Sequence, residues 1–355
     1  MSGWIRWCII LVMTFGQTTI VQADQYCLSQ QHVVAEVNGQ KIPLEPSGLT
    51  YDPDYQIYVA VSDNYNDLVS LKAENYVIFW FKKDKKSEIT AHPLLSREQA
   101  KKFIPLDLES IVRFKNKKYY AFNSSSLHSH KRSRDNIARF QAYEFSIKKI
   151  NDNEYVAENM DWLAKRLNGY WREWLIFQKQ IPWSIENVIA RSDTPEGINL
   201  EGITSTEQSD HILLGFRSPL FYDAQKKRWN AMLLDVKLPA DNKQFPILHQ
   251  IYYLPNQHGL KHGIRAISQI PEHSDWYFVI IGPSGNDITN FEYFLWNIKT
   301  QQIIHRTQLS ESKNIVWEGA SVIIEKNSSG KEVLKIGLID DFQACFKTIE
   351  IPVDF

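Results

Sequence analysis

An all-β fold made by radial repetition of small antiparallel sheets is the class this sequence predicts, and three observations predict it. One four-residue pattern recurs five times along the chain. Each copy is followed by a turn signal and then a second apolar run, the composition of a β-hairpin. With 43% apolar and 13% aromatic residues over 355 positions, the chain can bury a large core, which excludes disordered, collagen-like and coiled-coil classes.

The five copies are Ser47-Gly48-Leu49-Thr50, Glu109-Ser110-Ile111-Val112, Glu201-Gly202-Ile203-Thr204, Arg265-Ala266-Ile267-Ser268 and Glu318-Gly319-Ala320-Ser321. Each has a polar head, a small residue, usually an aliphatic, then a small or β-branched residue. Turn signals such as Asp52-Pro53-Asp54 and Asn327-Ser328-Ser329-Gly330 separate each copy from a run such as Ile57–Val61 or Ile212–Phe216. Further strand-like runs follow at Tyr76–Phe81, Phe140–Ile147, Ala231–Val236 and Phe291–Trp296. The heads stand 62, 92, 64 and 53 residues apart, room for four-stranded blades with insertions. A two-sheet sandwich is the alternative, but it would not repeat one head motif five times. The expectation is therefore a β-propeller of five blades, or six if an insert hides a degenerate one.

Room remains after the fifth head for three strands only, within Val316–Ile324, Val333–Ile339 and Cys345–Ile351. The unclaimed run His32–Val37 is expected to complete that last blade and close the ring. Two inserts interrupt the pattern. Ser96-Arg97-Glu98-Gln99 is a capping box ahead of a short helix near Ala100–Phe103. Between about Met160 and Lys179, Trp162, Leu163, Leu167, Tyr170, Trp171, Trp174 and Leu175 recur at helical spacing, predicting a helical insert near 160–180. That stripe reads as packing against the propeller face, with a ligand-binding role as the alternative.

Residues 1–23 read as a signal peptide, with Arg6 in the n-region, an apolar stretch from Ile9 and small residues at Val21-Gln22-Ala23. Gly16, Gln17, Thr18 and Thr19 interrupt the apolar run, so it is too short for a membrane anchor. The expectation is a periplasmic or secreted protein, with residues 24–355 as one domain, monomeric and free of a stable membrane anchor. Cys27 and Cys345 are then the two remaining cysteines, expected to pair in an oxidising compartment. The 40 basic and 41 acidic residues nearly cancel, which gives no footprint for sequence-independent nucleic-acid binding.

Hairpin geometry sets each head beside the end of the next strand. Ser47 should face Asp63-Asn64, Glu109 should face Asn123-Ser124-Ser125, and Glu201 should face Arg217-Ser218. Arg265 should face Gly282-Pro283-Ser284, and Glu318 should face Asp340-Asp341. First strands line a propeller's axis, so all five heads should converge on one face. Buried like charges need a cation or a partner, and oxygen donors suit Ca²⁺. Two readings follow. Either Glu109, Glu201, Glu318 and Asp340 hold calcium, or Arg217 and Arg265 neutralise the glutamates as a channel-filling network. The run His128, His130, Lys131, Arg132 and Arg134 is either a solvated loop or a recruiter of anions. Metalloprotease, P-loop and dinucleotide-binding signatures are absent, and Gly282-Pro283-Ser284-Gly285-Asn286 falls short of a nucleophile elbow.

The phrases Asp107-Leu108-Glu109-Ser110, Asn199-Leu200-Glu201-Gly202-Ile203, Leu214-Gly215-Phe216-Arg217-Ser218-Pro219 and Gly263-Ile264-Arg265 resemble an uncharacterised bacterial family of phytase-like β-propellers, over most of the chain. The resemblance implies a propeller with a polar central face and no established reaction. Phytase-like relatives use carboxylate-bound Ca²⁺ to cleave phosphate esters. Two functions are therefore expected in parallel. One is a Ca²⁺-assisted hydrolase of a small anionic, phosphorylated substrate, held by Arg217, Arg265, Ser284 and His128, with no catalytic residue assigned. The other is a non-catalytic ligand- or protein-binding propeller using the same face.

Overall fold

The computed structural model describes residues 31–126, 139, 141–163, 178, 180–182, 197–238, 246–257, 259–285, 290–309, 315–341 and 344–353. The chain enters through β1 (Gln31–Val37) and β2 (Gln40–Pro43), which pair as a hairpin. Antiparallel units then follow. The first is β3 (Pro46–Asp52), β4 (Ile57–Ser62), β5 (Ile78–Phe81) and β6 (Glu88–Pro93). The second is β7 (Leu108–Arg113), β8 (Lys118–Asn123), β9 (Ala142–Asn151) and β10 (Glu154–Trp162). The third is β11 (Asn199–Ser205), β12 (His211–Asp223), β13 (Arg228–Lys237) and β14 (Ile247–Pro255). The fourth is β15 (His262–Gln269), β16 (Trp276–Pro283), β17 (Glu292–Asn297) and β18 (Ile303–Gln308). The chain ends in β19 (Trp317–Lys326), β20 (Glu332–Asp340) and β21 (Cys345–Pro352).

The amino-terminal strand lies against β21, with His32 opposite Cys345, as the sequence predicts. It also pairs in parallel with β6, from His32 opposite Glu88 to Ala35 opposite Ala91. That second pairing joins the outer edges of the first and last units into a single nine-stranded sheet. The chain's two ends are thereby tied through backbone hydrogen bonds, which removes two exposed strand edges at once.

The first strands touch one another in cyclic order, β3 to β7, β11, β15, β19 and back to β3. The recurring sequence pattern explains why. In each hairpin the register slips at the head, so Ser47, Glu109, Glu201, Arg265 and Glu318 each have no residue opposite them. All five heads are β-bulges, a device that re-aims one side chain out of the ladder. The small residue that follows is demanded by close approach. A Cβ on Gly48 would lie 2.8 Å from the Ser110 Cα, and one on Gly319 would lie 2.9 Å from the Leu49 Cβ. Leu49, Ile111, Ile203, Ile267 and Ala320 then plug the axis and leave about 10 Å³, barely room for one water. The axis is closed, and the polar heads sit at one end of the plug.

Second strands lie between neighbouring sheets, so β4 is buried along its whole length and reads as an unbroken apolar run. Ile212, Leu214 and Phe216 of β12 pack with Val112, Tyr120 and Phe122 of the preceding unit. Two short helices, α1 (Tyr65–Ser70) and α2 (Arg97–Phe103), decorate the first unit. The Ser96 hydroxyl accepts from the Gln99 amide and the Gln99 side chain accepts from the Ser96 amide, the reciprocal cap expected from the sequence. The helical insert is corrected at its start. Met160, Asp161 and Trp162 belong to β10, because Asp161 and Trp162 continue the ladder opposite Glu144 and Tyr143. Residues 164–177 of that insert, the signal peptide, Cys27 and His128 lie outside the described residues.

Candidate functional site

Three heads meet directly. Arg265 Nη1 lies 3.0 Å from Oε2 of Glu201 and 2.7 Å from Oε1 of Glu318. Arg265 Nη2 donates to the Pro283 carbonyl at 2.9 Å, on the strand that the hairpin argument pairs with it. At 1% exposure the guanidinium is enclosed by these partners and by the Phe291 ring, so it presents no face to solvent. Arg217 is different. Its Nη1 bonds Glu201 Oε1 at 3.0 Å and its Nη2 donates to the Gly285 carbonyl at 2.8 Å, yet 18% of the side chain remains open. Against the opposing effect of burial, Glu201, Glu318 and Glu109 raise the Arg217 pKa.

The remaining sequence-derived residues are placed as follows. Glu109 is buried, and its carboxylate makes no hydrogen bond or ion pair among the described residues. Burial, followed by Asp107, Glu318, Asp63 and Glu201, pushes its carboxyl well above the usual range. Asp340 is fully buried, with Oδ1 accepting from the Val316 amide. Ser284 is buried at the end of β16, where its amide donates to the Lys261 carbonyl. Arg139 binds Asp107, whose other oxygen accepts from Ser124 and Ser126.

A further group of carboxylates lies beside these, and the motif pattern alone did not select it. Glu45, Asp63 and Asp341 each offer an oxygen, and the three oxygens lie within 4.8 Å of one another. Asp63 and Asp341 come from the ends of β4 and β20, and Glu45 immediately precedes β3. Oδ1 of Asp63 and Oδ1 of Asp341 are buried without a hydrogen-bond partner. Burial raises both carboxyl pKa values well above their usual range. Asp107, Glu318 and Glu45 add to the effect at Asp63, as do Glu318, Asp63 and Glu45 at Asp341. Glu45 is raised by burial and then by Asp67, against a hydrogen bond from Asn64. Even Glu318, paired with Arg265, is pushed up to about 8, because burial and Glu201 outweigh the two arginines.

Negative charge is in excess on this face. Arg139, Arg217 and Arg265 are each committed to Asp107, Glu201 or Glu318. Glu45, Asp63, Glu109 and Asp341 have no arginine or lysine within ion-pair distance among the described residues. Such a group either holds protons or binds a cation.

No protein-family model matches the chain, and no curated protein matches it. Among solved structures the chain is similar to an exo-β-1,3-galactanase from Clostridium thermocellum, at 11% identity and TM-score 0.43, over 92% of this chain and 62% of that one. It is also similar to an auxiliary nutrient binding protein from Bacteroides thetaiotaomicron, at 10% identity and TM-score 0.36, over 86% of this chain and 57% of that one. A glucose dehydrogenase matches at 8% identity and TM-score 0.38, over 89% of this chain and 86% of that one. This chain thus spans less than two thirds of the galactanase and the nutrient binding protein. These likenesses assign it neither an activity nor a substrate.

Proposed function

We propose that the head-bearing end of a five-bladed, phytase-like propeller is a divalent-cation site that receives a small anionic ligand. The cyclic order of the five first strands supports the blade count. Glu45, Asp63 and Asp341 would hold the cation, with Glu109 and Glu318 lending charge from the bulges beside them. The observation that carries this reading is the pair of buried, unpartnered oxygens on Asp63 and Asp341, within 4.8 Å of an oxygen of Glu45. A hard cation satisfies both, and an all-oxygen donor set selects Ca²⁺ over softer metals. This proposed set differs from the one expected from the motif, Glu109, Glu201, Glu318 and Asp340: Glu45, Asp63 and Asp341 take the ligand positions, with Asp341 in place of its neighbour Asp340. Asp340, Glu201 and Glu318 already have donors of their own.

Anion binding would follow from the same geometry. Among the described residues, Arg217 and Arg139 are the arginines of this face that keep an exposed fraction, 18% and 22% of the side chain. Their guanidinium groups can donate a further hydrogen bond to a phosphate oxygen without leaving Glu201 or Asp107. Bound calcium would polarise a phosphoryl oxygen and lower the pKa of a coordinated water, the chemistry of ester hydrolysis. The residues themselves orient the ligand and exclude bulk water below it, because the plug from Leu49 to Ala320 closes the axis. Export to the periplasm or beyond accords with a calcium-dependent site and is proposed with it.

The test is a calcium titration read by thermal denaturation, with turnover of a generic phosphate ester followed in parallel. The midpoint should rise at millimolar Ca²⁺, and Asp341→Asn should abolish the rise. No shift for the wild-type chain at millimolar Ca²⁺ would remove the cation site. A shift without turnover would leave the binding face and remove the hydrolase.

A further inference from the structure

A second constellation of metal-ligand type lies in the third unit, at the opposite end of its strands from the heads. His211 opens β12 just after the β11–β12 turn, whereas Glu201 and Arg217 lie at the other end of that hairpin. Leu213 is opposite Asp235, so His211, two residues earlier on the same face, is the diagonal neighbour of Asp235. On the other side of β13 the register slips between Asp235, opposite Gln250, and Val236, opposite Leu248. His249 is therefore the bulged residue, and the bulge turns its ring onto Asp235.

The contacts are short. Asp235 Oδ1 is 2.8 Å from His211 Nδ1, and Asp235 Oδ2 is 3.1 Å from His249 Nδ1. One ligand atom from each of the three residues lies within 4.8 Å of the others. Two imidazoles and one carboxylate, mutually spaced like the donors of one coordination sphere, suit zinc and its neighbours rather than calcium. His211 and Asp235 are buried, which fixes two ligands, while His249 is 55% exposed and can adjust. Asp235 and His249 border a cavity of about 650 Å³ between the third and fourth sheets, with Tyr252, Tyr277 and Asp275 on its walls. A fourth coordination position would open into that space, as in zinc sites that keep one exchangeable ligand.

We propose that His211, Asp235 and His249 bind one transition-metal ion of the zinc class, at a site separate from the calcium-type face and open to a small ligand from the inter-sheet cavity. The experiment titrates the chelator-treated full chain with Zn²⁺ by calorimetry, and with Co²⁺ by visible absorption. One tight equivalent is expected, unaffected by excess Ca²⁺. His249 is half open to solvent, so His249→Ala should leave the fold intact and weaken that equivalent at least 100-fold. Asp341→Asn and the double variant His128→Ala/His130→Ala should leave it unchanged. The absence of a tight equivalent in the wild-type chain would overturn the proposal, as would undiminished binding by folded His249→Ala. Because the calcium response belongs to the other end of the strands, its presence or loss in these variants is read independently.

Discussion

Arg265 Nη1 stands 3.0 Å from Glu201 Oε2, and both side chains are essentially closed to solvent. The two residues occupy the same position of the repeated motif in adjacent units, one as a cation and one as an anion. The bulge that brings the heads to the axis thus also makes three of them, Glu201, Arg265 and Glu318, one another's counter-charges. Glu318 completes the arrangement from the next unit, 2.7 Å from the same nitrogen. Close packing at the axis and the ion pairs at its end thus come from the same repeated motif position.

Arg265→Ala should therefore be severely destabilising. It would leave the Glu201 and Glu318 carboxylates buried without this counter-ion, and breaking a buried pair in this way costs about 3–5 kcal/mol. Denaturant unfolding checks the value. A variant within about 0.5 kcal/mol of wild type, the range of ordinary surface substitutions, would show that the network is not structural.

Arg217→Ala should be milder for the fold and harsher for ligand binding. The guanidinium is partly open, and Glu201 keeps Arg265 and the Asn199 amide as partners when Arg217 is removed. Loss of one charge-assisted hydrogen bond should weaken a phosphate-type ligand by about 1.5–3 kcal/mol. Calorimetry with inorganic phosphate, in the presence of Ca²⁺, measures it. Strong destabilisation with unchanged phosphate affinity would remove Arg217 from the ligand site.

The parts of this architecture that were legible in the sequence are those encoded locally. A bulged head needs a small neighbour, so polar–small–aliphatic recurs where a first strand meets the axis, and the five copies mark β3, β7, β11, β15 and β19. The Ser96–Gln99 cap is a four-residue signal and reads equally well. The acidic cluster was less legible, because Asp340 and Asp341 are adjacent. Strand alternation sends one side chain toward the Val316 amide and the other toward Asp63, and a one-residue choice of face decides which of them is free. Glu45 belongs to no motif. His211, Asp235 and His249 come from three strands, and a bulge that the sequence does not announce aims the last of them. The parallel pairing of β1 with β6 joins two sheet edges through backbone alone and leaves no side-chain pattern.

Without a divalent cation, stability should fall as pH rises. Glu318 goes from 4.5 to about 8 on folding, chiefly through burial, and Glu109, Asp63 and Asp341 shift in the same direction. An acid whose folded pKa is raised binds more protons in the native state. Its contribution is full below the unfolded value and is lost as pH climbs through the folded one. The thermal midpoint of chelator-treated protein should accordingly decline between about pH 4.5 and 8. Calcium should raise the midpoint more at pH 8 than at pH 5. A calcium effect that shrinks with rising pH would contradict the assignment.

Cys345 sits opposite His32 of the amino-terminal strand. Pairing with Cys27 would fasten the seam where β1 meets β21. Closing a loop of this length contributes at most about 5–6 kcal/mol on the chain-entropy account. Peptide mapping of protein recovered from an oxidising compartment should find the Cys27–Cys345 peptide, and reduction should lower the melting temperature. Two free thiols would refute the pairing.

The heads also make a prediction about sign. Glu109 and Glu201 share a motif position, yet their neighbours differ. Two arginines hold Glu201 at 3.0 Å each, whereas Glu109 is surrounded by Asp107, Glu318, Asp63 and Glu201 and has no cation within ion-pair distance among the described residues. Glu201→Gln removes the charge that both arginines answer to and should destabilise the fold. Glu109→Gln removes a charge that its surroundings oppose. Its effect should be smaller at pH 5 than at pH 8, because burial and the surrounding carboxylates raise the wild-type pKa and the protonated carboxyl is nearly isosteric with the amide. At pH 8, without calcium, the variant should melt higher than wild type. Calcium should narrow that gap, because the cation supplies the wild-type carboxylate with the counter-charge that the protein lacks. Thermal melts of the two variants at both pH values, with and without calcium, provide the comparison. If Glu109→Gln melts lower than wild type at pH 8 without calcium, then Glu109 has a stabilising partner and its charge is not in excess on this face.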